Sequence, residues 1–272
     1  MKIFLALLYA ASLSALGADY KTDKPMALIP QGAFWMGSGP DEREYGYKLD
    51  EARKSFASRR YKWFESEKRR KVNLKSYSID INLVTNKDYF KFVKATGRKA
   101  PFVDRKTWDG YHLAHSYKEV KRFLWKDGAF PAKRGAHPVV LVDHADAKAY
   151  CAWRELRLPS EEEWEKAARG AKGRYFPWGN EFDPKLLNSY DAGPYDTTPV
   201  GSYEKGKSVY GLYDMAGQVF EWTSTPAKPS GKYIVKGGSW DDYPGVTRGA
   251  ARHGRPETIK HILIGFRCAG NR

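Results

Sequence analysis

Gly211-Leu212-Tyr213-Asp214-Met215-Ala216-Gly217-Gln218-Val219-Phe220-Glu221-Trp222 is the stretch whose reading decides the fold. Its apolar residues follow no helical period, and Gly211 and Gly217 permit left-handed or closely packed backbone. It reads as a compact buried turn running into a short strand. Such a turn can bring Asp214, Gln218 and Glu221 toward one point. An amide and a carboxylate three residues apart, beside bare carbonyls, are oxygen ligands of the kind calcium takes. A tight core turn with a buried, hydrogen-bonded Glu accounts for the same spacing.

Working outward, the helices carry clear start signals. In Leu158-Pro159-Ser160-Glu161-Glu162-Glu163-Trp164, Ser160 and Glu163 make a capping box, and the acids of the first turn complement the helix dipole. Gly170 ends that helix. Its glutamates are explained by the helix start and need no catalytic role. Asp143 or Asp146 caps a helix carrying Cys151 and Trp153, after a short buried strand at 137–142. Thr85 or Asn86 caps a helix over 87–96 with Tyr89, Phe90, Phe92 and Val93 on one side. The strand signals are alternation over 72–81 and an apolar stretch over 27–38, bounded by Pro30 and Gly32, that suggests a hairpin. His112 and His115 lie three apart, a weak metal pair without an acidic or Cys partner at fixed spacing.

Two further segments differ in composition. Residues 1–18, with Lys2, an apolar run from Ile3 to Leu16 and small residues at Gly17 and Ala18, have the pattern of a secretory signal peptide. The run is short for a membrane span, and no Cys stands at the cut for lipid attachment. The expectation is an exported protein, periplasmic or secreted, with its folded part in 19–272. Residues 41–72 form a basic insertion. Nine Lys and Arg lie between Arg53 and Lys71, interleaved with Phe56, Tyr61, Trp63 and Phe64. The spacing is compatible with a helix that meets an acidic protein or a membrane surface, or with a solvated helix or loop.

The whole chain has a formal charge of +15, which favours acidic partners and says little about fold. No nucleic-acid motif accompanies it. The content of hydrophobic residues, 42%, suffices for a core. The two cysteines, Cys151 and Cys268, allow one intramolecular pairing, and two buried thiols are the alternative.

Several blocks in sequence order carry a resemblance. They are Arg157 to Glu165, Phe176-Pro177-Trp178-Gly179-Asn180, Pro199-Val200-Gly201-Ser202, Gly211 to Met215, Lys236-Gly237-Gly238-Ser239-Trp240 and Gly265-Phe266-Arg267-Cys268. With the block Gly32 to Ser38, the set resembles the formylglycine-generating enzyme, or sulfatase-modifying factor, family over roughly residues 26–270. The resemblance implies an α+β fold: one mixed domain of the C-type-lectin-like kind, with little regular secondary structure and long ordered loops. It implies a structural disulfide between Cys151 and Cys268. It also implies two calcium sites, the first led by Asn188 and the Ser189 carbonyl with Asp191 as partner, the second at Glu221 with Gln218 where the family usually has Asn.

The family's oxidases hold copper with two cysteines shortly after the Gly-Gly-Ser segment. Here that segment continues Trp240-Asp241-Asp242-Tyr243-Pro244-Gly245-Val246-Thr247-Arg248, without a cysteine. Copper is therefore not expected, since soft thiolates are what select Cu(I). Trp222 and Ser239 match positions lining the family's cleft. Asp241, Asp242, Arg248, Arg252 and His253 are local candidates there for proton transfer or for binding a small-molecule or peptide ligand. Arg267 is expected to pair with a buried carboxylate. Two functions follow. One is an exported, calcium-stabilised accessory or binding protein for a maturing protein or ligand. The other is an exported, cysteine-independent oxidoreductase, similar to pyoverdine-maturation members, acting on a small phenolic or peptide-derived substrate.

Overall fold

The computed structural model describes residues 24–271; the expected signal peptide at 1–18 lies outside them. Three small sheets organise the chain. In the first, β1 (Met26–Ile29), β4 (Tyr77–Asp80) and β9 (Ala269–Asn271) pair antiparallel in the order β1-β4-β9. This sheet joins both ends of the domain. In the second, β2 (Gly32–Met36) pairs antiparallel with β3 (Arg70–Leu74). The third has the order β7-β6-β5-β8, from β5 (Phe220–Ala227), β6 (Lys232–Lys236), β7 (Arg252–Pro256) and β8 (Ile264–Gly265), with β8 parallel to β5. Together with short helices and long ordered loops they make the mixed α+β domain the resemblance implies.

Helix starts fall where the caps predict. Helix α1 (Pro40–Glu51) opens the insertion and α2 (Ala57–Arg60) follows. Helix α3 (Asn86–Thr96) starts at a Thr85–Asp88 capping box and stops at left-handed Gly97. Short α4 (Arg105–Gly110) and α5 (Tyr117–Val120) come next. Helix α6 (His144–Trp153) is capped by Asp143, and α7 (Glu161–Arg169) by the Ser160–Glu163 box. The disulfide joins Cys151 in α6 to Cys268, just before β9, at a Cα–Cα distance of 5.6 Å.

Three strand readings are corrected. Residues 27–38 are not a hairpin: β1 and β2 pair with β4 and β3 and not with each other. Residues 72–81 are not one strand but β3 and β4, in different sheets. Residues 137–142 join no sheet; Val139 to Val142 are buried, and Leu141 has φ +61°. Continuous burial suits an irregular core segment as well as a strand. Of the two readings left open for the insertion, helix or loop, the loop describes most of 53–71: its only helix there is the four-residue α2, followed by turns up to β3.

The larger core holds the aromatic cluster of Tyr89, Phe92, Trp125, Tyr150 and Phe266, in which Tyr89 stacks on Tyr150 at 5.6 Å. A smaller core lies under the first sheet, where α7 buries Trp164, Ala167 and Ala168 against Ile29, Ile79 and Met215. The other buried face of α7 is charged. Glu165 accepts from Lys236 at 2.9 Å and from Arg169 at 2.6 Å, and Arg169 reaches Glu42 at 2.6 Å. Arg248 contacts Glu67 at 3.0 Å and Glu42 at 3.3 Å. Buried charges are tolerable when each is paired and hydrogen-bonded. Glu42 and Glu67 come from the basic insertion, so its acids lock it onto the core.

Candidate functional site

The opening stretch is a buried turn that enters β5 at Phe220. Asp214 and Gln218 take positive φ, +57° and +64°, as does Gly217 at +70°. At Gly217 a Cβ would meet the Asn188 carbonyl oxygen at 2.2 Å, so close backbone approach requires glycine. The three polar side chains do not converge. Asp214 accepts from the Gly201 N–H. Gln218 accepts from Asn188 Nδ2 and the Thr198 N–H, both at 3.0 Å, and donates to Thr198. Glu221 is held by Arg267 at 2.7 and 2.9 Å. Arg267 gives its remaining N–H groups to the carbonyls of Asp80, Ile81 and Tyr213, so all five donors are used, as expected for a structural arginine.

The Gly-Gly-Ser loop builds the nearby polar site. Gly237 and Gly238 have φ +95° and +72°, and the backbone turns so that Asp242 caps Ser239. Its Oδ2 accepts from the Ser239 N–H at 2.9 Å and from the Ser239 hydroxyl. Burial pushes the Asp242 carboxyl up to about 6. Asp241 meets His115 Nε2 at 3.0 Å, and Glu119 lies 3.4 Å from Nδ1. The hydrogen bond to Asp241 chiefly raises the His115 pKa. The His115 ring sits 5.2 Å from buried Trp240. At the rim, Tyr190 packs against Tyr195 and Tyr243, at 5.2 and 4.5 Å between ring centres.

One face of the third sheet continues this site. Phe220, His253 and Arg255 share it, because residues two apart on a strand point the same way and cross-strand partners lie side by side. His253 packs edge-on between Phe220, at 5.4 Å, and Trp63 of the insertion, at 6.0 Å. Burial holds His253 and His261 at about 3, neutral at ordinary pH.

Several expected cleft residues lie elsewhere. Trp222 shares the sheet face of Phe220 and His253 but is fully buried, donating to the Val142 carbonyl at 3.1 Å and packing against His144, so it lines no cleft. Arg248 and Arg252 are bound in ion pairs, Arg248 with Glu67 and Glu42, Arg252 with Glu161. Arg252 alternates with His253 on β7 and so faces Glu161 of α7, and Arg248, in the turn before the strand, lies in the charged layer under α7. Ser239 is buried and acts as a turn residue. Asp241, Asp242 and His253 remain in the site. Missing from the sequence reading were Arg255, His261 and the Tyr190–Tyr195–Tyr243 rim, and His115 pairs with Asp241, not with His112. The one available signal was Arg255 lying two residues after His253 on a strand.

The donor set also bears on metals. The only two cysteines of the chain are bonded to each other, so no thiolate is available for copper. The second calcium set does not fit a cation: Gln218 is satisfied by protein partners and Glu221 is neutralised by Arg267. In the first set Asp191 turns away to an ion pair with Arg53. Asn188 Oδ1 nevertheless stays buried without a partner among the described residues. With the Ser189 carbonyl it leaves two neutral oxygens suited to a hard cation.

Comparison with known proteins agrees with this architecture. The sulfatase-modifying factor enzyme 1-like domain model matches residues 14–272. The chain is 33% identical to the mouse protein named inactive C-alpha-formylglycine-generating enzyme 2, over 97% of this chain and 92% of that one. It is 31% identical to mouse formylglycine-generating enzyme, over 91% and 77%. The solved structure of PvdO from Pseudomonas aeruginosa superposes with a TM-score of 0.66 at 24% identity, covering 91% of this chain and 94% of that one, a likeness of fold. The chain belongs to the sulfatase-modifying factor, or formylglycine-generating enzyme, family.

Proposed function

We propose that this chain is an exported binding or accessory member of its family, working without a copper–thiolate centre on a maturing protein or small ligand. The observation that carries this reading is the Cys151–Cys268 bond, together with Asp241 and Asp242 in the loop where the family's oxidases carry cysteines. The relative named inactive, similar over nearly its whole length, agrees with it. Trp63 and the tyrosine rim give the site flat aromatic walls suited to a planar or peptidic ligand. The insertion adds exposed Phe56 and Tyr61 beside Lys54, Arg60 and Lys62, which form no ion pair among the described residues. They suit an acidic partner surface. Calcium, in this reading, is held weakly by Asn188 and Ser189. The test supplies the purified protein with Cu(I), oxygen and a thiol peptide, and follows oxygen uptake and bound metal. No uptake is expected. Stoichiometric copper with turnover refutes the reading.

A second reading, a cysteine-independent oxidoreductase, is favoured by Asp242, whose carboxyl near 6 suits proton transfer at neutral pH. Oxygen uptake on phenolic substrates, lost in Asp242→Asn, distinguishes it.

A further inference from the structure

Among the described residues, Arg255 is a partly buried cation that the fold leaves unpaired. Its side chain is partly buried on β7, yet its guanidinium makes neither a hydrogen bond nor an ion pair with any described residue. Its neighbours are the Phe220 ring, 6.0 Å below, and Asp242, whose charge reaches it from beyond ion-pair distance. The buried arginines among the described residues behave differently: Arg154, Arg169, Arg248 and Arg267 are each ion-paired. A partly desolvated guanidinium with five idle donors is costly unless something occupies them.

The surroundings narrow what that is. His261, its pKa lowered by burial and then by the charge of Arg255 near it, accepts the Leu263 N–H on Nδ1 at 3.0 Å, which leaves its proton on Nε2, a donor without a partner among the described residues. The Phe220 and Trp63 rings stand nearly perpendicular to the His253 ring, so the three make an aromatic corner beside the guanidinium. Asp242 sets a limit, since a second negative charge on the ligand would meet its carboxylate. We propose that Arg255, assisted by His261, is an anion subsite for a planar organic monocarboxylate, gripped by the guanidinium fork with its ring seated in the aromatic corner of Phe220 and His253. The inference rests on the ligand-binding reading above and supplies its ligand class.

Benzoate is the probe, with benzamide as its uncharged counterpart and inorganic phosphate as the competing anion, each titrated calorimetrically into the full chain. Benzoate binding is expected, with benzamide and phosphate at least roughly tenfold weaker. Arg255→Gln should weaken benzoate roughly ten- to a hundredfold, and Arg255→Lys should fall between. Absent benzoate binding, equal binding by Arg255→Gln, equal binding of benzamide, or tighter binding of phosphate each overturns the proposal. The wild-type comparison of benzoate with benzamide stands even if a variant misfolds. Oxygen uptake with copper would refute the binding-protein reading and leave an Arg255-dependent benzoate site in place, so the two can fail separately.

Discussion

At Glu221, a carboxylate read as a calcium ligand is instead one half of a fully buried ion pair. Desolvation makes such a pair roughly neutral in net stability, but removal of one partner strands the other. Arg267→Met should therefore destabilise the protein by about 3–5 kcal/mol, measured by urea unfolding. A loss below about 1 kcal/mol would mean that solvent or another group reaches Glu221. His115 carries a pH dependence of known sign. Its folded pKa is raised above the ordinary 6.5, chiefly by Asp241. Its contribution is thus complete below about 6.5 and disappears as pH rises through the folded value. The stability difference between wild type and Asp241→Asn should accordingly be larger at pH 6 than at pH 8. Buried His253 and His261 titrate in the opposite sense, losing stability as pH falls below 6.5, and are common to both proteins. On the proposed reading, calcium at Asn188 would be held with Kd on the order of 1 mM, so 10 mM calcium should stabilise by about 1.4 kcal/mol. An unchanged melting point on adding calcium refutes that site. Arg267 is legible through the Gly265-Phe266-Arg267-Cys268 block of the resemblance, where it is expected to pair with a buried carboxylate. Residue identity could not tell Arg255 from Arg252: strand phase decides which faces Glu161 and which faces Phe220, and one residue of register reverses the two.

Among the elements, the insertion shows how a basic segment is held. Its attachment comes from its acids, Glu42 and Glu67, closing on Arg169 and Arg248 beneath α7. Glu67→Gln removes a charge from Arg248 and should cost about 3 kcal/mol. Lys54→Gln with Lys62→Gln, at positions lacking ion pairs among the described residues, should shift stability by less than about 0.5 kcal/mol each. Equal losses in a denaturant titration would place the anchor in the lysines instead. The same contrast explains what was readable. Helices α3, α6 and α7 announce themselves through caps within four residues of sequence. Strands β1 and β2 have readable alternation, but their partners lie about fifty and about forty residues downstream, beyond an insertion. Local pattern indicates a strand and not its partner.

For the whole molecule, the single covalent cross-link decides how the ends behave. The bond between Cys151 and Cys268 spans 117 residues and ties α6 to the edge of the sheet that joins the first and last strands of the described residues. Short antiparallel strands such as β1, β4 and β9 are marginal alone, so their stability depends on keeping this closure. A loop of that length should restrict the unfolded chain by about 5 kcal/mol on the chain-entropy model. For a domain of this size that corresponds to a melting point lower by about 10–20 °C in Cys151→Ala/Cys268→Ala. Both sulfurs are fully buried, so a reductant should act only where the protein unfolds. Native protein is expected to show no titratable thiol, and two once denaturant and reductant are combined. A double variant melting with the wild type would assign the closure to the β1-β4-β9 hydrogen bonds and the Arg154–Asp80 ion pair beside them.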